Sequence, residues 1–331
     1  MATKLVTVFG ATGAQGGSVV QALLRDKSGT FKVRGITRNP TSEAAKALSA
    51  SGVEVVKADG LNKGELVSAF KGSWAVFANV NSDDPCINQK DGPSETDMGK
   101  IIIDAAVEAE VRHFVFSGMA SASETTKGAV PNRAFDEKHA IGQYGRSKPF
   151  ASFVDASPGW YMETFLWRDL APIFGGWPFN PDEEGHMTFT CPRWGGPNDE
   201  VPFTAIAADY GDIVHGILLA PEKYNGRLIQ SISQSRSLES VIPDYQTATG
   251  KQARFRFMKT WEELETYGVT GLITVQRMFG FCQHSGGLYY GVPNDTAPAA
   301  ELKAAAAAAQ GKTGDDAKLM TLERFFKQHL A

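Results

Sequence analysis

Three glycines spaced three residues apart, Gly10, Gly13 and Gly16, follow directly on the short apolar run 5–9. A helical pattern with apolar residues over 18–24 begins immediately behind them. The N-terminus of a helix in this position offers unpaired N–H groups and a positive dipole end to a phosphate. Because the strand before and the helix after are both present, the spacing predicts a pyrophosphate site. The alternative is a plain tight turn between strand and helix.

Strand and helix patterns alternate through the first half of the chain, which is typical of an α/β fold. Strands are predicted at 5–9, 32–37, 53–57, 74–78, 113–117 and 150–155, with helices at 42–51, 63–70, 97–108 and 136–146. This alternation predicts a Rossmann-type doubly wound parallel sheet with right-handed crossovers. Ligands of such sheets bind at the carboxyl ends of the strands. We therefore expect a dinucleotide-binding domain over residues 1–157.

The pattern changes after Pro158, where glycine, proline and aromatic residues concentrate in the segment 172–202. This composition predicts a smaller, loop-rich lobe over 158–331 that contacts substrate or partner, with some segments returning to the first sheet. Helices are predicted at 209–219, 245–250, 278–290 and 319–330, a strand at 253–258, and an alanine-rich connection at 299–317.

The composition narrows the function classes. The formal net charge is −4 and lysine and arginine do not cluster, which disfavours nucleic-acid binding. The sequence enters a strand at once and has no apolar run of about 18 residues, so we expect a cytoplasmic protein without membrane spans. Three widely spaced cysteines, Cys86, Cys191 and Cys282, predict reduced thiols rather than a disulfide framework or a metal site.

The end of the second strand predicts which dinucleotide binds. A site for NAD needs an acid there to accept a hydrogen bond from the ribose 2′-hydroxyl. This chain has Thr37, Arg38 and Asn39 instead. A guanidinium pairs well with a 2′-phosphate, so Arg38 predicts NADP(H). The alternative is an arginine that lies on the surface at a strand end.

Other predicted contacts follow the later strands. Asp59 and Gly60 are placed at the adenine edge or in a simple turn, and the asparagines of segment 79–81 beside the pyrophosphate or in Asx turns. The residues predicted to bind the dinucleotide are Gly10, Thr12, Gly13, Ala14, Gln15, Gly16, Arg38, Asp59, Gly60, Asn79, Val80, Asn81, Ser117, Lys138, Pro158 and Tyr161.

Several segments together resemble one family. Residues 8–17, 33–40, 135–138, 208–211 and 319–326 are similar to the NmrA-like branch of the atypical short-chain dehydrogenase/reductase superfamily, and the resemblance runs from about residue 4 to 330. It implies a Rossmann fold and NADP(H) binding. Some members of this family are enzymes and others are sensors, so both classes stay open.

The resemblance also raises the question of the proton donor. Typical short-chain reductases use Tyr-x-x-x-Lys, in which the lysine holds the ribose and lowers the pKa of the tyrosine. Here Lys138 is present, but Ala134 stands four residues before it. Lys138 is predicted to bind the nicotinamide ribose, with a solvated helix lysine as the alternative. The predicted catalytic residues are Lys138, Tyr161, Glu163 and Ser117, each with packing or capping as the alternative.

Two functions remain compatible with the sequence. The first is an NADPH-dependent oxidoreductase acting on a bulky, partly aromatic small molecule of secondary metabolism. It would reduce an imine, an iminium ion or a conjugated electrophile, and hydride transfer could be coupled to cyclisation. The alternative is a non-catalytic NADP(H) redox sensor that regulates a transcription factor or another protein partner. An open cavity beside the nicotinamide site favours the enzyme, and a cavity filled by side chains favours the sensor.

Overall fold

A parallel sheet of seven strands forms the centre of the computed structural model, which describes residues 3–87, 89 and 91–331. Six of its strands are β1 (Lys4–Phe9), β2 (Phe31–Thr37), β3 (Glu54–Lys57), β4 (Ala75–Ala78), β5 (His113–Phe116) and β6 (Ser152–Pro158). The next three strands, β7 (Trp160–Tyr161), β8 (Met187–Cys191) and β9 (Glu200–Thr204), belong to the second lobe. The seventh strand of the sheet is β10 (Leu228–Ser231). The order in the sheet is β10-β6-β5-β4-β1-β2-β3, so the winding reverses between β1 and β4. The predicted fold class is confirmed.

Helices lie on both faces of this sheet and in the second lobe. In chain order they are α1 (Ala14–Leu24), α2 (Glu43–Ala50), α3 (Lys63–Phe70), α4 (Glu95–Glu108), α5 (Ala122–Thr125), α6 (Arg133–Arg146), α7 (Gly211–Leu219), α8 (Val241–Thr249), α9 (Thr270–His284), α10 (Ala297–Gln310) and α11 (Leu322–His329). Helix α7 packs against α1 and α10, whereas α4 packs against α3 and α6.

The second lobe is more regular than its composition suggests. Strand β9 lies between β7 and a further strand, β11 (Gln234–Ser237), and β8 pairs with β12 (Ala253–Phe257). The helix predicted at 278–290 was misplaced, because α9 begins at Thr270 and ends at His284. An aromatic core, including Trp177, Trp194, Phe189 and Phe279, fills the space between these elements.

Helix α10 corrects the prediction of a connection at 299–317. Ala299, Leu302 and Ala306 are buried in the core beneath the sheet, and Gly216 of α7 lets the two helices approach closely. A Cβ atom at Gly216 would lie 2.4 Å from the carbonyl oxygen of Leu302. The alanines that read as a linker are therefore the small side chains of a tight helix–helix contact.

Two further expectations concern the chain as a whole. The part of the chain that the structure describes contains no helix long and apolar enough to cross a membrane. Cys86, Cys191 and Cys282 are free thiols, of which the last two are buried. Among the described residues no group of three His, Cys, Asp or Glu side chains is arranged to hold a metal ion.

Candidate functional site

The glycine loop lies between β1 and α1 and its three glycines do different things. Gly10 has a φ of +81°, the left-handed region that favours glycine. A Cβ atom at Gly16 would lie 2.2 Å from the carbonyl oxygen of Gly10, so this glycine lets α1 begin directly against the loop. Gly13 has ordinary backbone angles, is the N-cap of α1, and lines the cavity described next.

A first cavity, of about 590 Å³, opens where the winding of the sheet reverses. The predicted dinucleotide residues that line it are Gly10, Thr12, Gly13, Ala14, Gln15, Arg38, Gly60, Asn79, Asn81 and Tyr161. The N-terminus of α1 at this cavity has no side-chain cap and no acidic residue in its first turn. Its N–H groups are thus available to an anion, and this arrangement fits the pyrophosphate of a dinucleotide.

Arg38 lines the first cavity but it is paired with an acid. Its Nη2 lies 2.8 Å from Oδ2 of Asp84, and its Nη1 lies 3.3 Å from Oδ1. The Arg38 side chain is 57% exposed, whereas that of Asp84 is 10% exposed. Asp84 lies in the loop after β4 and also lines the cavity. The sequence predicts the arginine at the end of β2 but not the acid that faces it.

Two predicted dinucleotide residues, Asp59 and Gly16, line neither this cavity nor the second one described below. Asp59 forms a simple turn, the alternative to an adenine contact in the sequence analysis, because its Oδ1 accepts the N–H of Leu61 at 2.9 Å. Its own N–H donates to the carboxylate of Glu65 at 3.0 Å. Gly16 lies behind the loop, where it packs against Gly10. Asp59 thus makes the turn contacts, and its contact with adenine stays a prediction.

A second cavity, of about 470 Å³, adjoins the first. Gln15, Asn79, Asn81 and Tyr161 line both cavities and mark the boundary between them. The second cavity is lined mainly by apolar side chains, and Val80, Ser117, Lys138 and Pro158 also belong to its lining. Its aromatic residues are Phe135, Trp160, Trp167, Tyr161 and Tyr289.

Lys138 reaches this second cavity from α6, one helical turn after Ala134, which also lines it. The Lys138 ammonium forms an ion pair with Glu95 of α4 and donates a hydrogen bond to the Ser82 hydroxyl at 2.7 Å. The two side chains of the ion pair are 12% and 2% exposed. Lys138 is therefore not a solvated helix lysine, and Glu95 neutralises its charge at the cavity wall.

Tyr161 stands at the boundary of the two cavities. Gln15 Nε2 donates a hydrogen bond to its hydroxyl, while Gln15 Oε1 is buried without a partner among the described residues. Burial raises the pKa of Tyr161 above its ordinary value, so the hydroxyl keeps its proton at neutral pH. Because Gln15 uses a lone pair of the oxygen, the Tyr161 proton is free to be donated elsewhere.

Ser117 and Glu163 complete the predicted catalytic residues, and the structure separates them. Ser117 follows β5, is buried, and lines the second cavity. Glu163 lines neither cavity, and its carboxylate accepts the backbone N–H groups of Ile206 at 3.1 Å and Ala207 at 2.8 Å. These hydrogen bonds give acceptors to backbone N–H groups at the start of the π-helical turn Ile206–Tyr210. Glu163 therefore caps this turn, which is the alternative to catalysis given in the sequence analysis.

The family of the chain follows from its sequence over almost its whole length. The sequence model of the NmrA-like family matches residues 2–323. The chain belongs to the NmrA-like family. Among its relatives, the NmrA-like family domain-containing oxidoreductase FrzB of Cladobotryum sp is 45% identical over 334 residues, which cover 99% of each chain. The resemblance stated from the sequence is confirmed.

Solved structures of this family's fold are similar across the whole chain. The crystal structure of NmrA, a negative transcriptional regulator, in complex with NADP has a TM-score of 0.72 at 17% identity and covers 99% of this chain and 95% of that one. The NADPH-dependent quinone oxidoreductase QOR2 of Escherichia coli, complexed with NADPH, has a TM-score of 0.68 at 19% identity, with 98% and 99% covered. At these identities the likeness shows the fold.

Proposed function

We propose that the protein is an NADPH-dependent oxidoreductase that reduces a bulky, partly aromatic small molecule of secondary metabolism. The observation that carries this proposal is the second cavity, which is open, apolar and about 470 Å³ in volume. It lies beside the end of the nucleotide cavity at Gln15 and Tyr161. Small-molecule sites have this size and this apolar lining.

The choice of cofactor rests on the residues of the first cavity. The uncapped N-terminus of α1 suits the pyrophosphate, and the exposed edge of Arg38 suits a 2′-phosphate. The NADP complex of NmrA and the NADPH complex of QOR2, which share the fold, support the same assignment. When bound, NADPH supplies a hydride to an electrophilic carbon.

The substrate class follows from the groups that line the second cavity. Ala134 has no proton to give, and the Lys138 ammonium is held by Glu95. Burial raises the pKa of Tyr161, so its hydroxyl can donate a hydrogen bond but is a weak acid. A ketone needs an acid as its oxygen becomes charged, whereas an iminium ion becomes a neutral amine on accepting hydride. We therefore infer that the substrate is an imine, an iminium ion or a conjugated electrophile, and that the reduced product can go on to cyclise.

The remaining polar groups have positioning roles in this proposal. Lys138, fixed by Glu95 and Ser82, has one further N–H group that would donate to the nicotinamide ribose. Tyr161 and Ser117 offer hydroxyl groups to the substrate. Tyr161 remains protonated because burial raises its pKa, so it donates a hydrogen bond rather than acting as a base.

A matched pair of variants tests the proposal through the missing donor. Ala134→Tyr places a hydroxyl four residues before Lys138, and Ala134→Phe adds the same ring without it. Wild-type protein should oxidise NADPH with a bulky cyclic iminium ion and turn over ketones slowly. Ala134→Tyr should reduce a ring-containing ketone about 10²-fold faster than Ala134→Phe, because general acid catalysis is worth about 10²–10⁴-fold.

Two results of this experiment would contradict two different parts of the proposal. Equal ketone rates in the two variants would show that this helix position does not face the reacting atoms. Fast turnover of a short aliphatic ketone by the wild type would contradict the substrate class. Both readouts are rates of NADPH consumption, and circular dichroism of each variant confirms that it has folded.

A further inference from the structure

We propose that Asp84 is a counter-charge within the nucleotide cavity that limits the preference for a 2′-phosphate and accepts a ribose hydroxyl when that phosphate is absent. This inference rests on the proposed dinucleotide site and goes beyond it. It predicts that the protein binds NADH measurably and that its discrimination between the two dinucleotides is set by the Arg38–Asp84 pair rather than by Arg38 alone.

The position of Asp84 is the first support. Both Arg38 and Asp84 line the first cavity, although they lie 46 positions apart in the chain. The Asp84 carboxylate faces two nitrogens of the guanidinium, at 2.8 and 3.3 Å, and its Oδ1 also accepts the N–H of Cys86 at 3.1 Å. Asp84 is therefore held firmly at the cavity wall.

The charge of Asp84 is the second support. Burial acts to raise the pKa of Asp84, but hydrogen bonds from Cys86 and Arg38 outweigh it and lower the pKa below its ordinary value. The carboxylate is consequently ionised at neutral pH. A ribose 2′-hydroxyl can donate to an ionised carboxylate, as it does where an acid ends the second strand of an NAD site. Here the acid comes from the loop after β4 instead.

The geometry of Arg38 gives the third support. A guanidinium has five N–H groups, and two of its nitrogens face Asp84. The 57% exposure of the side chain leaves its outer edge open to a 2′-phosphate. A 2′-phosphate paired with that edge would be separated from the Asp84 carboxylate by the guanidinium. Repulsion in water between a carboxylate and a nearly doubly charged phosphate roughly 6 Å apart weakens binding by about five- to tenfold.

Three variants test this inference by titration of NADPH and NADH in a binding assay. Asp84→Asn keeps Oδ1 for Arg38 and Cys86 but removes the charge. It should raise the ratio of NADPH affinity to NADH affinity at least fivefold over wild type. Asp83→Asn is the matched control, because its carboxylate lines the second cavity rather than the first, and it should leave the ratio unchanged.

Arg38→Ala tests the same inference without altering Asp84. Without the guanidinium beside it, the Asp84 carboxylate should repel the 2′-phosphate, so that NADH binds about three- to tenfold more tightly than NADPH. The double variant Arg38→Ala with Asp84→Asn should bind both dinucleotides equally. The single variant Arg38→Ala still tests the inference if Asp84→Asn fails to fold.

Specific results would overturn the inference. An unchanged or lower ratio in folded Asp84→Asn would do so, and so would equal affinities in Arg38→Ala, because either shows that the phosphate does not sense Asp84. Those results leave the proposed function intact. Failure of folded wild-type protein to bind either dinucleotide would instead overturn the proposed function, and this inference with it.

Discussion

Gly13 and Gly16 belong to one motif in the sequence, yet the structure gives them separate roles. Gly13 lines the nucleotide cavity and has a φ of −88°, which any residue adopts. A Cβ atom there would make ordinary contact, 3.4 Å from the carbonyl oxygen of Gly10. Gly16 has no such room, since its Cβ atom would lie 2.2 Å from that oxygen.

These two glycines give opposite predictions. Gly13→Val should fold nearly as well as wild type but lose NADPH affinity by at least about 100-fold, because its methyl groups take the space of the pyrophosphate. Gly16→Ala should lose about 2 kcal/mol or more of unfolding free energy, because backbone must move to admit the Cβ. Thermal unfolding and NADPH titration of both variants check this pair. Near-native NADPH affinity in folded Gly13→Val would contradict the role given to the loop.

Single residues show how far sequence reasoning reaches. Arg38 was predicted from its place at the end of a strand and Lys138 from the family resemblance, and both line a cavity. Their acidic partners, Asp84 and Glu95, were not predicted, because each comes from a different element and no spacing rule links them. Glu163 was placed near the cofactor by its distance from β6, which cannot show that its carboxylate turns toward backbone N–H groups.

At the scale of elements, the six strands predicted in the first half are present with ends shifted by a few residues. Buried parallel strands are continuous apolar runs, which makes them easy to recognise. Strand β10 escaped prediction because its four residues include polar Gln230 and Ser231 and lie between segments of the second lobe. Its pairing with β6 is set by tertiary structure, as is the packing of α10 on α7.

The attachment of α10 gives a prediction about stability. Asp212 of α7 is fully buried and pairs with Lys303 of α10 at 2.6 Å and with Lys312 at 2.7 Å. Asp212→Asn should lower the free energy of unfolding by about 3 kcal/mol, because the buried Lys303 ammonium then keeps only Asp209 as a counter-charge and Lys312 loses its carboxylate partner. Asp316→Asn, an exposed carboxylate near the same segment, should be neutral and serves as the control.

The same pair predicts the direction of a pH effect. Burial acts to raise the pKa of Asp212, but Lys303 and its other partners outweigh it and lower the pKa well below the ordinary value. A depressed carboxyl pKa contributes stability above the unfolded value, about 3.9, and loses it as pH falls below that value. The stability gap between wild type and Asp212→Asn should therefore shrink below about pH 4. A constant gap in denaturant titrations from neutral to acid pH would contradict this.

The whole molecule joins a nucleotide-binding half to an aromatic lobe, and its function depends on what lies between them. Aromatic composition predicted a bulky pocket, but many of those residues, such as Trp177, Trp194 and Phe281, are packed into the core of the lobe. Trp160 and Tyr289 of the same core, together with Trp167, also line the second cavity. Composition could not separate these two groups, because the distinction depends on how the lobe folds around the cavity.

Transfer of hydride from NADPH to a substrate in the second cavity distinguishes the enzyme from the sensor most directly. Wild-type protein would be incubated with NADPH carrying deuterium at C4, in each of its two stereochemical forms, and with a bulky cyclic iminium ion. The account predicts that one of the two forms transfers a single deuterium to the product, in an amount equal to the NADP⁺ formed. Absence of transfer to every imine, iminium ion and conjugated electrophile tested, with NADPH still bound, would contradict it. Capture of a protein partner that depends on NADP⁺ or NADPH would then favour the sensor.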